Sequence, residues 1–166
     1  MIYPQLFQAL FLNNIHYLIC GGLAVNIYGI PRMTADIDLL LNLTPNNITQ
    51  FENTMNKLNY KPLIPLSLQT LQDEKTRTYY IKERNLIGYS YFNSQKNFVN
   101  IDILLDLPIS FQSMWENKEI RTIDNYQIYL ISIQHLIELK NYSNRIQDQK
   151  DIQLLNQIQT KNDPKI

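Results

Sequence analysis

The 166-residue sequence has one cysteine, no surplus of charge of either sign and no long apolar run, and each scarcity removes a class of protein. With Cys20 alone, no disulfide can form within the chain, so a fold of this length must rest on a packed core. A lone cysteine also suits a reducing interior. Lys and Arg number 15, as do Asp and Glu. That balance argues against broad electrostatic capture of nucleic acid, which needs a basic face, although a local basic pocket remains open. No stretch approaches the roughly 20 apolar residues of a membrane span. The opening MIYPQLFQALFLNNI lacks the basic region and small-residue cleavage site of a secretory signal. The expected location is the cytoplasm, with no membrane partner.

The segments that are present alternate between helical and strand periodicity. Residues 4 to 14 carry apolar side chains at helical spacing. HYLIC is short, apolar and β-leaning, and Gly21-Gly22 ends it. Leu23 to Tyr28 read as a short helix, and Ala35 to Leu41 (ADIDLLL) as a buried strand. Thr44 before Pro45 is a predicted N-cap for a helix to about Leu58. Tyr60 to Ile64 reads as a strand, and Gln69 to Lys75 as a loop or helical turn. Leu86 to Phe92 and Phe98 to Leu105 are β-rich, and Asn93 to Asn97 read as their hairpin connection. Tyr126 to Leu130 is a predicted edge strand. Ser132 caps a helix to about Asn141, and a last helix covers Arg145 to Ile158. The expectation is one α/β (α+β) domain over residues 1–159, with a mixed sheet, a helical C-terminal end and a frayed polar tail at 160–166.

Within this frame the acids are oddly placed. In a strand, residues i and i+2 share a face, so Asp36 and Asp38 project together while Ile37 and Leu39 point away. Two carboxylates this close repel each other unless a cation lies between them, and Mg2+ binds through one or two carboxylates plus substrate phosphates. Such a pair also occurs at ordinary strand ends, but Leu39-Leu40-Leu41 marks this strand as buried, where unpaired acids are rare. Gly21-Gly22, between a strand and a helix, lets the backbone approach a phosphate at a helix N-terminus, or simply makes a tight turn. Asp102 shares a face with Asn100 in FVNIDILL and is the candidate third acid. Asp106, nearer Pro108, is its competitor. Arg145 and Asp148, three apart on one helix, read as a structural pair. His16 and His135 stand without partners in view, and Cys20 reads as a core residue. Tyr79, Tyr80, Tyr89 and Tyr91 fall near a possible acceptor region, though tyrosines at strand spacing more often pack a sheet.

Together these residues resemble the nucleotidyltransferase superfamily with the polymerase-β-like fold. The nearest likeness is to its AbiEii-type toxins and related small bacterial and archaeal enzymes. The pattern GG-x-A followed by G-x-x-R-x-T-x-D-I-D is filled by Gly22, Ala24, Gly29, Arg32, Thr34, Asp36, Ile37 and Asp38. Lys140, Arg145, Asp148 and Asp151 match the C-terminal pattern, while residues 60 to 95 match little. Gly22 stands where many members carry a serine, and residues 23 to 35 make a longer spacer than minimal nucleotidyltransferase antitoxins have. The resemblance implies two Mg2+ ions held by Asp36, Asp38 and Asp102, with Asp102 as general base. It further implies an ATP-like nucleoside triphosphate held by Gly21, Gly22, Arg32, Thr34 and Lys140. The implied activity is transfer of a nucleoside monophosphate to a hydroxyl on an RNA end or a protein, in a toxin–antitoxin or phage-defence setting with a cognate antitoxin or toxin as partner. The alternatives are an antibiotic-modifying nucleotidyltransferase and a catalytically silent antitoxin or regulatory partner.

Overall fold

The computed structural model describes residues 3–93, 95 and 99–162. The apolar opening forms α1 (Pro4–Leu12), with Pro4 in the first turn, where its missing N–H costs nothing. Next come β1 (Tyr17–Ile19), α2 (Gly21–Ile27), β2 (Ile37–Leu41) and α3 (Pro45–Lys57). Beyond β3 (Tyr60–Pro62) and a 3-10 helix (Leu68–Gln72) lie α4 (Glu74–Arg84), β4 (Gly88–Asn93) and β5 (Ile101–Leu104). The chain then forms α5 (Phe111–Glu116), β6 (Glu119–Ile123), β7 (Tyr126–Leu130), α6 (Ile133–Ser143) and α7 (Ile146–Asn162).

Several boundaries differ from the sequence reading for local reasons. Helix α2 begins at the glycines themselves, with Cys20 as N-cap. Strand β2 begins at Ile37, leaving Asp36 on its approach. The polar stretch from Gln69 splits into the 3-10 helix and α4, because the Asp73 side chain accepts the Thr76 N–H and caps a new helix. Ser132 caps α6 as expected, accepting the His135 N–H. Thr44 holds the N-cap position of α3, but its side chain makes no capping bond. The connection expected at Asn93 to Asn97, and the strand start expected at Phe98, lie partly outside the described residues.

The seven strands form one mixed sheet in the order β3-β4-β5-β2-β1-β7-β6. The expectation of an edge strand at Tyr126–Leu130 is corrected: β7 is internal, pairing parallel to β1 and antiparallel to β6, which takes the edge. Strand β2 runs antiparallel to β1 and parallel to β5, and β4 antiparallel to β5.

One sheet face is sealed. Tyr17, Ile37, Leu39, Ile101, Ile103, Tyr89 and Tyr91 are all buried there. Phe7 of α1 stacks on Tyr17, and Phe51 of α3 meets Tyr91 edge-on. The other face is closed over β1 and β2, where Leu18 and Leu40 are buried. Over β4 and β5 it stays open: Gly88, Ser90, Asp102 and Leu104 alternate with the buried residues and are half-buried. That uncovered half-face is the floor of the main cleft.

Candidate functional site

The cleft measures about 910 Å3 and lies between the open half-face, the turn into α2 and the C-terminal end of α6. Parallel pairing of β2 with β5 sets Asp38 directly opposite Asp102, and antiparallel pairing of β4 sets Ser90 opposite Asp102 on its other side. Neighbouring strands stand about 5 Å apart, so these three side chains form a row across one face. Asp36 joins at the mouth, and all four line the cleft. Burial pushes the Asp38 carboxyl above the ordinary carboxylate range, and Asp102 and then Asp36 push it further, against the Gly22 amide and the Arg145 charge. Desolvation, then the Asp102 charge, raises Asp36 as well. Asp106, the competing third acid, also lines the cleft, but it sits beyond the end of β5 and accepts a 3.0 Å bond from the Tyr142 hydroxyl.

The two glycines have different tasks. Gly21 has φ +58°, and a Cβ there would stand 1.8 Å from Asp38 Oδ2. Only glycine tolerates both the left-handed backbone and the approach of the carboxylate. Gly21→Ala is therefore expected to displace Asp38 and cut activity well beyond its cost in stability, about 1–2 kcal/mol for the backbone alone. Parallel melting and activity assays check this, and a variant of wild-type activity would show that Asp38 needs no fixed position. A Cβ at Gly22 would meet Thr34 Oγ1 at 2.7 Å and Arg32 Cζ at 3.1 Å. Gly22 thus lets the Arg32–Thr34 loop close over the start of α2, and Thr34 in turn donates to the Asp36 carbonyl at 3.2 Å.

The cations of the cleft are unequally engaged. Arg32 Nη1 lies 2.5 Å from Asp151 Oδ2, and the backbone N–H of Arg32 donates to the Asn26 side chain. Lys140, only 4% exposed, donates to Asp148 at 3.0 Å and Asp151 at 2.7 Å. Gln147 adds a bond to Asp151, and Ser143 one to Asp148. Burial raises Asp148, but the Ser143 hydroxyl and the Lys140 ammonium together hold it below the ordinary carboxylate range. This buried quartet ties the loop after α2 to α6 and α7. The expected pairing of Arg145 with Asp148 is corrected: Asp148 accepts the Arg145 backbone N–H, while the Arg145 side chain lines the cleft. Asn144, in a left-handed conformation, ends α6 and turns the chain there.

The remaining expectations are placed as follows. His16 stacks on Trp115, and Cys20 is fully buried beneath the glycine turn. Tyr89 and Tyr91 pack the sealed face, and Tyr79 and Tyr80 meet each other edge-on along α4, so none of the four lines the cleft. Sequence reasoning missed Ser90, although the Tyr89-Ser90-Tyr91 alternation points it to the face opposite the buried tyrosines.

Among the described residues no three metal-ligating side chains are spaced to enclose a metal on their own. Mg2+ does not require that: it takes one or two carboxylates and completes its shell with water and phosphate oxygens. An open row of acids in which burial and the Asp102 charge raise the proton affinity of Asp36 and Asp38 fits this kind of site.

No protein-family model matches the chain, and no curated protein is similar to it in sequence. Solved structures do match. The lincosamide antibiotic adenylyltransferase LnuA, lincomycin-bound, superposes with TM-score 0.57 at 17% identity, over 95% of this chain and 98% of that one. ANT(2")-Ia in complex with adenylyl-2"-tobramycin gives 0.54 at 12%, over 91% and 83%. An antigenic nucleotidyltransferase-like protein from Paracoccidioides brasiliensis gives 0.54 at 19%, over 90% and 71%. The fold is that of these nucleotidyltransferases.

Proposed function

We propose that the protein transfers a nucleoside monophosphate from a nucleoside triphosphate to a hydroxyl acceptor, with Mg2+ as cofactor. The row Asp38–Asp102 beside the Gly21-Gly22 turn carries this reading. Asp36, Asp38 and Asp102 would hold the cations, which would neutralise the triphosphate and the charge developing on the entering and leaving oxygens. Gly21, Gly22, Arg32, Thr34 and Lys140 form the wall along which the triphosphate would lie. The acceptor oxygen attacks the α-phosphorus, the α–β bridging P–O bond breaks, and pyrophosphate leaves. The acceptor's proton passes to Asp102, on the strand next to Asp38.

A specific observation bears on the acceptor. Beyond Ser90 the cleft floor turns apolar, with Ile87, Leu104, Leu107 and Leu139, and ends at the Asp106–Tyr142 pair. Asp106 follows Asp102 past the end of β5 at Leu104, with the apolar residues between the two acids. A wall of that character suits a small amphiphilic hydroxyl compound better than a polyanionic RNA end. This favours the antibiotic-modifying reading, in keeping with what LnuA and ANT(2")-Ia are named for. An RNA or protein acceptor, the AbiEii-type likeness and a toxin–antitoxin partner rest on the sequence motifs alone. A silent partner has no evident use for three retained acids in one row.

The test incubates the protein with each nucleoside triphosphate and Mg2+, adding total RNA, a protein fraction, or a panel of aminoglycosides and lincosamides in turn. Expected is pyrophosphate release that needs both Mg2+ and one acceptor class and is lost in Asp102→Asn. Release equal in wild type and Asp102→Asn would remove Asp102 from the reaction.

A further inference from the structure

We infer that Arg145, on the turn between α6 and α7, is the residue whose positive charge binds the triphosphate, while the buried ion quartet holds that turn in place. The inference rests on the proposed nucleotide transfer and goes beyond it, because it assigns the binding charge to a residue outside the two glycine- and acid-bearing segments.

Charge within the cleft decides the matter. Among the described residues three cations line it: Arg32, Lys140 and Arg145. Arg32 and Lys140 face Asp151 and Asp148, so these four buried or half-buried groups sum to zero. Their charges are spent on one another. The row Asp36, Asp38 and Asp102 is negative. Arg145 is exposed, and its guanidinium has no hydrogen-bond or ion-pair partner among the described residues. It lines the same cleft as Asp36, Asp38 and Asp102, the acids that would hold the cations. A planar guanidinium with free donors is the group best matched to phosphate oxygens.

The backbone at this position is fixed although the side chain is not. Asn144 adopts φ 49° and returns its N–H to the Lys140 carbonyl. The Arg145 N–H donates to Asp148 Oδ2 at 3.3 Å, and its carbonyl accepts the Asp148 N–H at 3.0 Å. Asp148 is in turn held by Ser143 and Lys140. The quartet therefore sets where Arg145 starts, leaving the long side chain free to close on an anion. Lys140, Asp148 and Asp151 are positioning residues in this arrangement, and Arg145 is the ligand.

The test compares Mg2+–nucleoside triphosphate affinity, by titration calorimetry without acceptor, in wild type, Arg145→Ala, Arg145→Gln and Asp38→Asn. Loss of one or two charge-assisted hydrogen bonds should raise Kd about 10–100-fold in both Arg145 variants. The loss should shrink from triphosphate to monophosphate, and Arg145→Lys should recover part of it. The melting temperature without ligand should stay at the wild-type value, because the guanidinium holds nothing in the fold. Wild-type-like Kd in both Arg145 variants, with binding still lost in Asp38→Asn, overturns this inference and leaves the proposed function standing. Absence of triphosphate binding in wild type overturns both. A lowered melting temperature in both Arg145 variants gives the residue a structural role and also overturns it.

Discussion

Lys140→Met should cost about 3–5 kcal/mol, the usual penalty for removing one partner of a buried ion pair. The ammonium is 4% exposed and bonds two carboxylates that are themselves buried, Asp148 and Asp151 at 7% and 1%. Without it both acids lose a charge partner while largely shielded from water, and only Arg32 still faces Asp151. For a chain of this length the loss corresponds to a fall in Tm of about 6–20 °C. Asp148→Asn added to the same chain should recover part of it, because Asp148 pairs with Lys140 while Asp151 keeps Arg32, and an amide there removes the buried charge left unpaired. Denaturant melts of the three proteins measure this, and a single variant within about 1 kcal/mol of wild type would mean that solvent reaches the quartet. The pH dependence follows from Asp148, which is held below the ordinary carboxylate range. Its contribution is present above the unfolded carboxylate value, about 3.9, and is lost as pH falls through the lower folded value.

Asp38→Asn should have the opposite pattern, a large loss of activity with no loss of stability. A cation held in the transition state is worth several kcal/mol, so transfer should fall on the order of 10^2–10^3-fold. The asparagine oxygen can still accept from the Gly22 amide that now faces the carboxylate. The repulsion with Asp102 and Asp36 disappears. Because the wild-type carboxyl is raised in the folded state, the native protein binds its proton more tightly than the unfolded chain does. That contribution favours the fold below the unfolded value of about 3.9 and fades as pH rises through the raised folded value, leaving a cost near neutrality. In EDTA at neutral pH the variant should melt at or above wild type, and the gap should close in acid. A variant that loses several degrees at neutral pH would show that Asp38 serves the fold. Mg2+ with triphosphate should raise the wild-type Tm and leave the variant nearly unmoved.

The parts of this site legible in the sequence are those whose signal is local. The period of two placed Asp38 on one face and Ile37 and Leu39 on the other, and the same period in FVNIDILL set Asp102 on the face opposite Ile101 and Ile103, while nearness to Pro108 marked Asp106 as a strand-end residue. The glycine pair marked the turn at which a backbone passes within van der Waals distance of a carboxylate. Where the local signal is weak, elements went unseen. Helix α4 has no buried residue, so no apolar stripe announces it, and α5 is only six residues long. Strand β6 is exposed along its middle, and its hairpin turns at Asp124 in a left-handed conformation, a turn signal that was passed over. Missing β6 made β7 look like an edge. The ion quartet was illegible for another reason: Arg32 and Asp151 lie 119 positions apart, and only the packing of α7 against the loop after α2 brings them together.

The most direct measurement follows the label in two parallel reactions, one with α-32P and one with γ-32P nucleoside triphosphate, each with Mg2+ and the acceptor class that supports pyrophosphate release. Expected is label on the acceptor from the α position only, all γ label released as pyrophosphate, and neither product with Asp38→Asn. Label on the acceptor from the γ position, or α label carried equally by wild type and Asp38→Asn, would contradict a nucleotidyl transfer built on Asp36, Asp38 and Asp102.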